Sequence, residues 1–537
     1  MSDLSTVAGL LENAATGDGV VSVLTGERDD LRVGDLWRRS EHAAAWFLET
    51  VGRDGTVGLL METSLDCLVS LLGAWRAGIT TLSLPHRARS ASPDHYRDEL
   101  LEVGRTAGME VLLLAPQRLS GFDLEGPVRI ASFRECAGHP RRTDVADQGE
   151  FVQFSSGSTG RPKGARLGSQ AIAANVTAMI DHMAPHNQGA VAVSWLPLSH
   201  DMGLVGTCLT ILASMGPPWR SRRLVLMPPE RMVARPARWL QACSEFGATV
   251  TCAPNFALDL VLTHGRAPAG LDLRPLKVLI VGSELIAPAT LRRFGRALEP
   301  LGFDETAFCP AYGMAEASLA VTMVPPEAPW QAVAATPGGP DVVSCGVPIR
   351  GLEVRAPAEG GGAGPIAVRG ASLLRGYLGR EASPLDPDGW LATSDLGFVR
   401  GGELYVVGRA DDVLVIAGRK LSPEPLEEVA ARHEAVRPGS CAAIPDESGG
   451  YLIVAERKRA SAGADMRDAC RWIRRELSVE RGVAPTAVVI VSPGSIPRTP
   501  SGKLQRRRLR HLHGRGELAV EAALAFSAGP RAAPEPA

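Results

Sequence analysis

Short apolar runs alternate with helix-length amphipathic segments through the first three hundred residues, and this alternation constrains the fold more than any other feature of the chain. TVGLLM (56–61) is followed by a helical pattern, SLDCLVSLLGAWRAG, and then by TTLSLP. VAVSWLP (191–197), RLVLMP (223–228), ATVTCAP (248–254) and KVLIVG (277–282) each precede a further helix-like stretch. Apolar strands separated by helices predict parallel sheets covered by helices, an α/β class. From about Gly339 the texture changes. SCGVPIRGLEVRAP, GPIAVRG and GELYVVG are short strands separated by glycines, which predicts a small β-rich subdomain over 339–409. AEGGGAG (358–364) reads as a loose turn.

Beyond Arg409 the pattern restarts. PEPLEEVAARH and MRDACRWIRRELSVE are helical, while SCAAIP, YLIVAERK and AVVIVSP have strand character, so a compact α+β domain is expected. The expected division is a large domain over 1–409, a small one over 412–515 and a disordered tail over 516–537, ending in the Ala/Pro-rich LAFSAGPRAAPEPA. A length of 537 residues agrees with more than one core.

Composition removes several function classes. With 57 basic and 59 acidic residues the net charge is −2, which favours neither nucleic acid nor an anionic membrane. The basic run RRRLRHLHGRGE lacks the interleaved aromatics of a nucleic-acid binder. Nine cysteines, spread from Cys67 to Cys470 with no CxxC pair, read as reduced structural thiols. The N-terminal MSDLSTVAGLLENAATGDGV has acids where a secretion signal needs basic residues, and no run approaches the eighteen apolar residues of a membrane span. A soluble cytoplasmic protein is expected.

Ser155 to Ala165 reads SSGSTGRPKGA: three glycines, four hydroxyl residues, a proline and one lysine in eleven positions. Glycines allow close backbone approach, hydroxyls and amides supply donors, and the lysine suits a phosphate. A flexible Gly/Ser surface loop is the competing reading. The stretch is not GxxxxGK[ST], because Lys163 lies between Pro162 and Gly164, and it lacks the third glycine of GxGxxG. Lying between the apolar FVQF and the helical QAIAANVTAMI, it is read as a strand–loop–helix phosphate site.

Together with WLPLSHDMGLVG (195–206), AYGMAEASLAVT (311–322), TSDLGFVRGGELYVVGRADDVLVIAGRK (393–420) and IPRTPSGKLQ (496–505), the loop resembles the adenylate-forming superfamily. The pieces occur in that superfamily's order and cover nearly the whole chain. LPLSHDMGL, APNFALDL (253–260), AFCPAYGMAEASL (307–319) and VVSCG (342–346) resemble its fatty acyl-AMP ligase branch. The resemblance implies activation of a carboxylic acid by ATP and Mg²⁺ as an acyl-adenylate, followed by transfer to the phosphopantetheine thiol of a separate acyl carrier protein, or to coenzyme A. It also implies a small C-terminal domain that reorients between the two half-reactions.

Residue by residue, the resemblance places Ser155, Ser156, Gly157, Ser158, Thr159, Gly160 and Lys163 on the ATP phosphates. Lys503 becomes the lysine bridging carboxylate and α-phosphate, where a compact mobile charge is suited; by position alone it is a surface lysine in KLQRRRLR. Thr159 and Glu316 become the Mg²⁺ partners, since a hydrated hard cation takes one or two protein oxygens. Gly282, Ser283, Glu284, Tyr312, Gly313 and Met314 would line the adenine pocket, with Tyr312 stacking on the base. Asp395 and Arg409 would hold the ribose, with turn capping as the rival role for Asp395. Asp411 becomes the hinge, or alternatively part of a solvated turn. His200, Gly203 and Asn255 would meet the acyl chain, although a lone histidine is more often structural.

Three departures from the branch stand out. The interval EAPWQAVAATPGGPDVV (327–343) is short where the branch carries an insertion, Lys420-Leu421 replaces its Asn-His pair, and Ser394 replaces the glycine of TGD. The first two leave the acceptor thiol open between carrier protein and coenzyme A; an amino-acid-activating enzyme and a nucleotide-binding pseudoenzyme are further readings.

Overall fold

In the computed structural model of the chain, strands of continuous apolar sequence send alternate side chains into two different cores. In Val111–Leu114, Val111 and Leu113 join the main core while Leu112 and Leu114 join a second cluster with Leu60, Leu82, Leu84 and Val152. Burial on both faces is why these strands show no polar alternation. The structure describes residues 3–87, 93–119, 128–139, 149–155, 163–184, 186, 188–264, 270–335, 340–358, 362–416, 419–446, 449–461, 465–498 and 504–526. They form two compact units, one running to Val407 and the other from Gly408 onwards.

The first unit is built on two large sheets. One has seven strands in the spatial order Gly376–Tyr377, Lys163–Gly168, Glu150–Ser155, Thr80–Leu84, Thr56–Leu60, Val111–Leu114, Arg129–Ser132. The last five of these run parallel. The other sheet has nine strands: Val347–Pro348, Ala320–Met323, Phe308–Gly313, Val278–Gly282, Val250–Pro254, Val191–Ser194, Arg223–Leu226, Val20–Leu24 and Arg28–Arg32. Its six central strands, from Phe308–Gly313 to Val20–Leu24, are parallel. The helix-covered parallel sheets expected from the alternating pattern are therefore present. A four-stranded sheet of Leu352–Arg355, Gly364–Gly370, Leu391–Arg400 and Glu403–Arg409 follows.

Helix Leu65–Ala77 shows how local sequence sets an element within the main core. Ser64 caps it by accepting from the Cys67 amide at 3.2 Å, and Gly78 ends it at φ 72°. All of its residues except Asp66 are buried. A β-carbon at Gly73 would lie 2.4 Å from that of Ala43, so glycine permits the close crossing with helix Val33–Thr50. Each fully buried Leu or Val side chain here contributes roughly 1.5–3 kcal/mol.

The second unit folds around one sheet, in the order Val436–Pro445, Tyr451–Arg457, Ala487–Val491, Val520–Ala525. One face, with Cys441, Ala443, Ile453 and Ile490, is covered by helices Glu424–Ala431 and Met466–Arg481. On the other, Ile444, Val454 and Val489 pack with Ile496 and with Leu509 of helix Arg506–Gly514.

Two expectations need correction. Glu150–Ser155 pairs antiparallel with Lys163–Gly168, Ser155 opposite Lys163, and the helix Ser169–His182 begins only after that second strand. KGARLG pairs with Glu150–Ser155 at all six of its positions, so no helix N-terminus follows the loop directly. The tail expected from 516 includes the strand Val520–Ala525, paired with Ala487–Val491 from Ala525 opposite Ala487 to Val520 opposite Val491. Ala522, Leu524 and Phe526 pack on the core there, a period-2 pattern that its Ala-rich composition conceals.

Candidate active site

In an open parallel sheet, ligands bind beyond the carboxyl ends of the strands. Three of the sequence-predicted stretches meet at such an edge. Pro254 pairs with Gly282, and Val281 pairs with Pro310, so Asn255 and Ser283 leave two neighbouring parallel strands on the side toward which Tyr312 lies near the end of a third. A β-carbon on Gly282 would sit 3.0 Å from the Ala311 carbonyl oxygen, and Ser283 follows with φ 69°, a conformation that L-residues adopt at a cost. Its hydroxyl lies 3.1 Å from Met202 Sδ.

Glu284 and Asn255 hold each other's loops. Glu284 Oε1 accepts from the Phe256 amide at 2.5 Å, while Asn255 Oδ1 accepts from the Ala287 amide at 3.0 Å. These exchanged caps fix the start of helix Asn255–His264 against the turn that carries Ser283. Each side chain thus has a structural bond at the position where a ligand contact was expected.

Tyr312 is buried, and its hydroxyl donates to Asp395 Oδ2 at 2.7 Å. The predicted adenine and ribose residues are therefore directly linked. Burial, reinforced by the Asp395 charge, holds the Tyr312 phenol well above its ordinary pKa, so it remains a donor at physiological pH. Asp395 is oriented from behind, because its amide donates to Thr393 Oγ1 at 3.1 Å. Gly313 approaches so closely that a β-carbon would lie 2.1 Å from the Leu319 carbonyl oxygen, and the Met314 amide donates to that same oxygen at 2.8 Å. The tight turn so formed presents Glu316.

Tyr377, absent from the sequence-predicted set, organises Glu316. Its hydroxyl donates to Glu316 Oε1 at 3.0 Å, and Lys163 Nζ lies 5.9 Å from its ring centroid. The strand containing Tyr377 pairs with the Lys163 strand, Tyr377 opposite Ala165. Burial and the Glu316 charge raise the Tyr377 phenol above its ordinary pKa. The Glu316 turn is further held by buried Asn175, whose amide nitrogen donates to Ala317 O, Ala320 O and Ser372 Oγ at 3.2, 2.8 and 3.3 Å, while its oxygen accepts from the Ala320 amide at 3.1 Å. Buried Gln153, on the first hairpin strand, donates to Ser199 O at 2.7 Å and so ties that strand to the loop of His200.

His200 Nδ1 accepts from the Met202 amide at 3.2 Å and lies 2.7 Å from Asp201 Oδ1, both at the start of the π-helical segment Met202–Leu209. A β-carbon at Gly203 would sit 2.2 Å from the Pro197 carbonyl oxygen, which gives that glycine a packing reason independent of any ligand. Ser155 ends the first hairpin strand. Ser156, Gly157, Ser158, Thr159, Gly160 and Lys503 lie outside the described residues. Within the second unit, Arg409 ends the strand Glu403–Arg409, and Asp411 Oδ1 lies 3.5 Å from Arg507 Nη2.

Among the described residues no group of three or more His, Cys, Asp or Glu side chains could hold a metal. Glu316, a single carboxylate with one oxygen engaged by Tyr377, suits a largely hydrated Mg²⁺ that takes one or two oxygens from protein and the rest from phosphate. All nine cysteines are free and buried; burial pushes several thiols up, Cys208 and Cys309 to about 12, so these are inert packing groups. No helix among the described residues is long and apolar enough to cross a membrane.

Comparison with known proteins gives four findings that agree on the family. The AMP-binding enzyme family profile matches residues 11–378. The long-chain-fatty-acid–AMP ligase FadD23 of Mycobacterium tuberculosis is 30% identical, covering 92% of each chain. A protein of the same organism provisionally named fatty-acid–CoA ligase fadD25 is 31% identical, covering 92% of this chain and 93% of its own. A solved structure from work on fatty acyl-adenylate ligases of E. coli and L. pneumophila superposes with a TM-score of 0.86 at 24% identity, over 96% of this chain and all of that one.

Proposed function

The chain belongs to the AMP-binding enzyme family of adenylate-forming ligases, and on that premise we propose that it activates a fatty acid as acyl-AMP and passes the acyl group to the phosphopantetheine thiol of a separate carrier protein. The observation that carries this reading is the convergence of Ser283, Tyr312 with Asp395, and Glu316 with Lys163 around one parallel-sheet edge and its adjoining hairpin. Such an array suits a nucleoside triphosphate: an aromatic wall, a carboxylate for ribose hydroxyls, and a carboxylate and an ammonium group for the phosphate end.

In the first half-reaction a carboxylate oxygen attacks the α-phosphorus of ATP, and the bond to the β-phosphate oxygen breaks to release pyrophosphate. Both reactants are anions, so the rate depends on positioning and on positive charge at the α-phosphate. Lys503 supplies that charge in our reading, and Lys163 meets the departing phosphates. Mg²⁺ held by Glu316 and Thr159 would neutralise phosphate charge. Tyr312 keeps Asp395 oriented toward the ribose hydroxyls. In the second half-reaction a thiol sulfur attacks the acyl carbonyl carbon and AMP leaves. Reorientation at Asp411 would clear Lys503 from the site for this step.

Coenzyme A as the acceptor is the second reading. It is favoured by the name of the fadD25 relative and by the short interval at 327–343. One experiment separates the two. Purified enzyme receives ATP, Mg²⁺ and a panel of fatty acids, with coenzyme A or a phosphopantetheinylated carrier protein, and products are read by mass spectrometry. Acyl-AMP that persists with coenzyme A and discharges onto carrier supports the proposal, while rapid acyl-CoA formation selects the alternative. Lys503→Ala is expected to lower adenylate formation by about 10²-fold or more with the fold retained. Near-normal pyrophosphate release by that variant removes Lys503 from the mechanism.

A further inference from the structure

Three carboxylates converge on one arginine in the second unit. The Arg506 guanidinium binds Glu427 in bidentate fashion, Nε to Oε1 at 2.9 Å and Nη2 to Oε2 at 2.8 Å. The same Nη2 reaches Glu424 Oε1 at 3.1 Å, and Nη1 reaches Asp412 Oδ2 at 3.3 Å. Side-chain exposure of Arg506 is only 14%, and that of Glu427 is 11%. Glu427 Oε1 also accepts from the Ala443 amide at 2.9 Å, which extends the cluster into the sheet. The neighbouring Arg507 meets Asp411 at 3.5 Å, so two consecutive arginines face two consecutive acids.

Placement gives the cluster its meaning. Arg506 is three residues after Lys503, and Asp411 and Asp412 lie just after the start of the unit at Gly408. The described residues on either side of 499–503 make three further contacts. Arg498 and Leu504 form a β-bridge, the Gln505 amide donates to Pro497 O at 3.0 Å, and the Ile496 amide donates to buried Glu456 at 3.0 Å. Arg506 is the next residue, and it adds a charged fastening of these residues to the Asp411–Asp412 end of the unit. A planar fork satisfying three acids at once fixes direction as well as distance, which a lysine at the same position does not.

We propose that Arg506 is a positioning residue that fastens the base of the Lys503 segment to the Asp411–Asp412 turn, so that the lysine and the turn move as one body. The proposal rests on the reading of Lys503 as the adenylation lysine. Its consequence is specific: loosening the cluster misaims the lysine during attack on the α-phosphate and leaves the thiol step, which does not use it, intact.

The test uses the full chain with Asp412→Ala, which removes the Arg506 tie to the turn and leaves that of Arg507, and Arg506→Lys, which keeps the charge and loses the fork. Kinetics are taken with whichever fatty acid the wild type activates fastest. We expect kcat for adenylate formation to fall about 10- to 100-fold in both variants, with KM for ATP and acid within about twofold. Thioester formation from chemically prepared acyl-adenylate should match the wild type. Hydrogen exchange supplies a readout independent of activity: the peptide 496–506 should exchange at least about tenfold faster in both variants. Unchanged exchange there overturns the proposal, as does an equal loss in both half-reactions, which marks a merely structural role. A wild type that makes no adenylate refutes the functional reading instead, and the exchange result still decides this one.

Discussion

Asn175 makes four hydrogen bonds inside the protein, and none of its partners is near it in sequence. Ala317 and Ala320 both follow Glu316, one within its turn and one opening the next strand, so this one side chain sets the height of that carboxylate over the sheet edge. Asn175→Ala leaves two buried carbonyls, a hydroxyl and an amide short of a partner. We expect it to lower the unfolding free energy by about 2–4 kcal/mol, read from urea midpoints, and to lower adenylate formation at temperatures where the protein remains folded. Tyr377 and Gln153 belong to the same class of residue. Glu316, Tyr312 and Asp395 were legible because they sit in motifs of recognisable composition. Tyr377 acts on Glu316 from 61 positions away, and Gln153 acts on Ser199 from 46, so nothing in the local sequence announces either.

At the level of elements, strand type was easier to read than connection. Val111–Leu114 and Val278–Gly282 are apolar throughout because both faces are covered, and that signal survives in one dimension. The hairpin of Glu150–Ser155 and Lys163–Gly168 was not legible, because LysGlyAlaArgLeuGly is short and runs directly into a helix. The π-helical segment Met202–Leu209 carries a comparable surprise: nothing in its apolar run MGLVGTCL marks a widened turn. Its widened turn brings Gly203 against the Pro197 carbonyl, where a β-carbon would be 2.2 Å from oxygen. That oxygen is backbone and cannot swing aside as a flexible side chain would. Gly203→Ala should therefore cost about 1–3 kcal/mol of stability. It should also shift the Pro197–Asp201 loop with His200, and the chain-length profile of activated acids, measured by mass spectrometry, tests whether that loop borders the acyl chain. An unaltered profile in the folded variant places the acyl chain elsewhere.

For the whole molecule, two units with separate hydrophobic cores imply that unfolding is not a single two-state event. The second unit also carries its own pH dependence. Three acids around Arg506 leave negative charge in excess, and Glu424 Oε2 is buried without a hydrogen-bond partner among the described residues. Burial pushes the Glu424 carboxyl up to about 7 from an ordinary 4.5; the attraction of Arg506 opposes the rise, and Glu427 and Asp412 add to it. A carboxyl with a raised folded pKa binds its proton more tightly in the folded state than in the unfolded one. Its contribution to stability is therefore favourable below about 4.5, is lost as pH climbs through about 7, and stays lost above that. Glu424→Gln makes the neutral form permanent. Calorimetry should show a smaller transition belonging to the second unit, whose midpoint falls between pH 5 and 8 in the wild type. In Glu424→Gln that fall should be reduced, with the midpoint at pH 8 higher by several degrees, since about 1 kcal/mol corresponds to ~4–8 °C in a unit near this size. The larger transition should not respond. A lower midpoint for Glu424→Gln at pH 8 would mean that the ionised Glu424–Arg506 pair stabilises the unit, and the excess-charge account of the cluster would then be wrong.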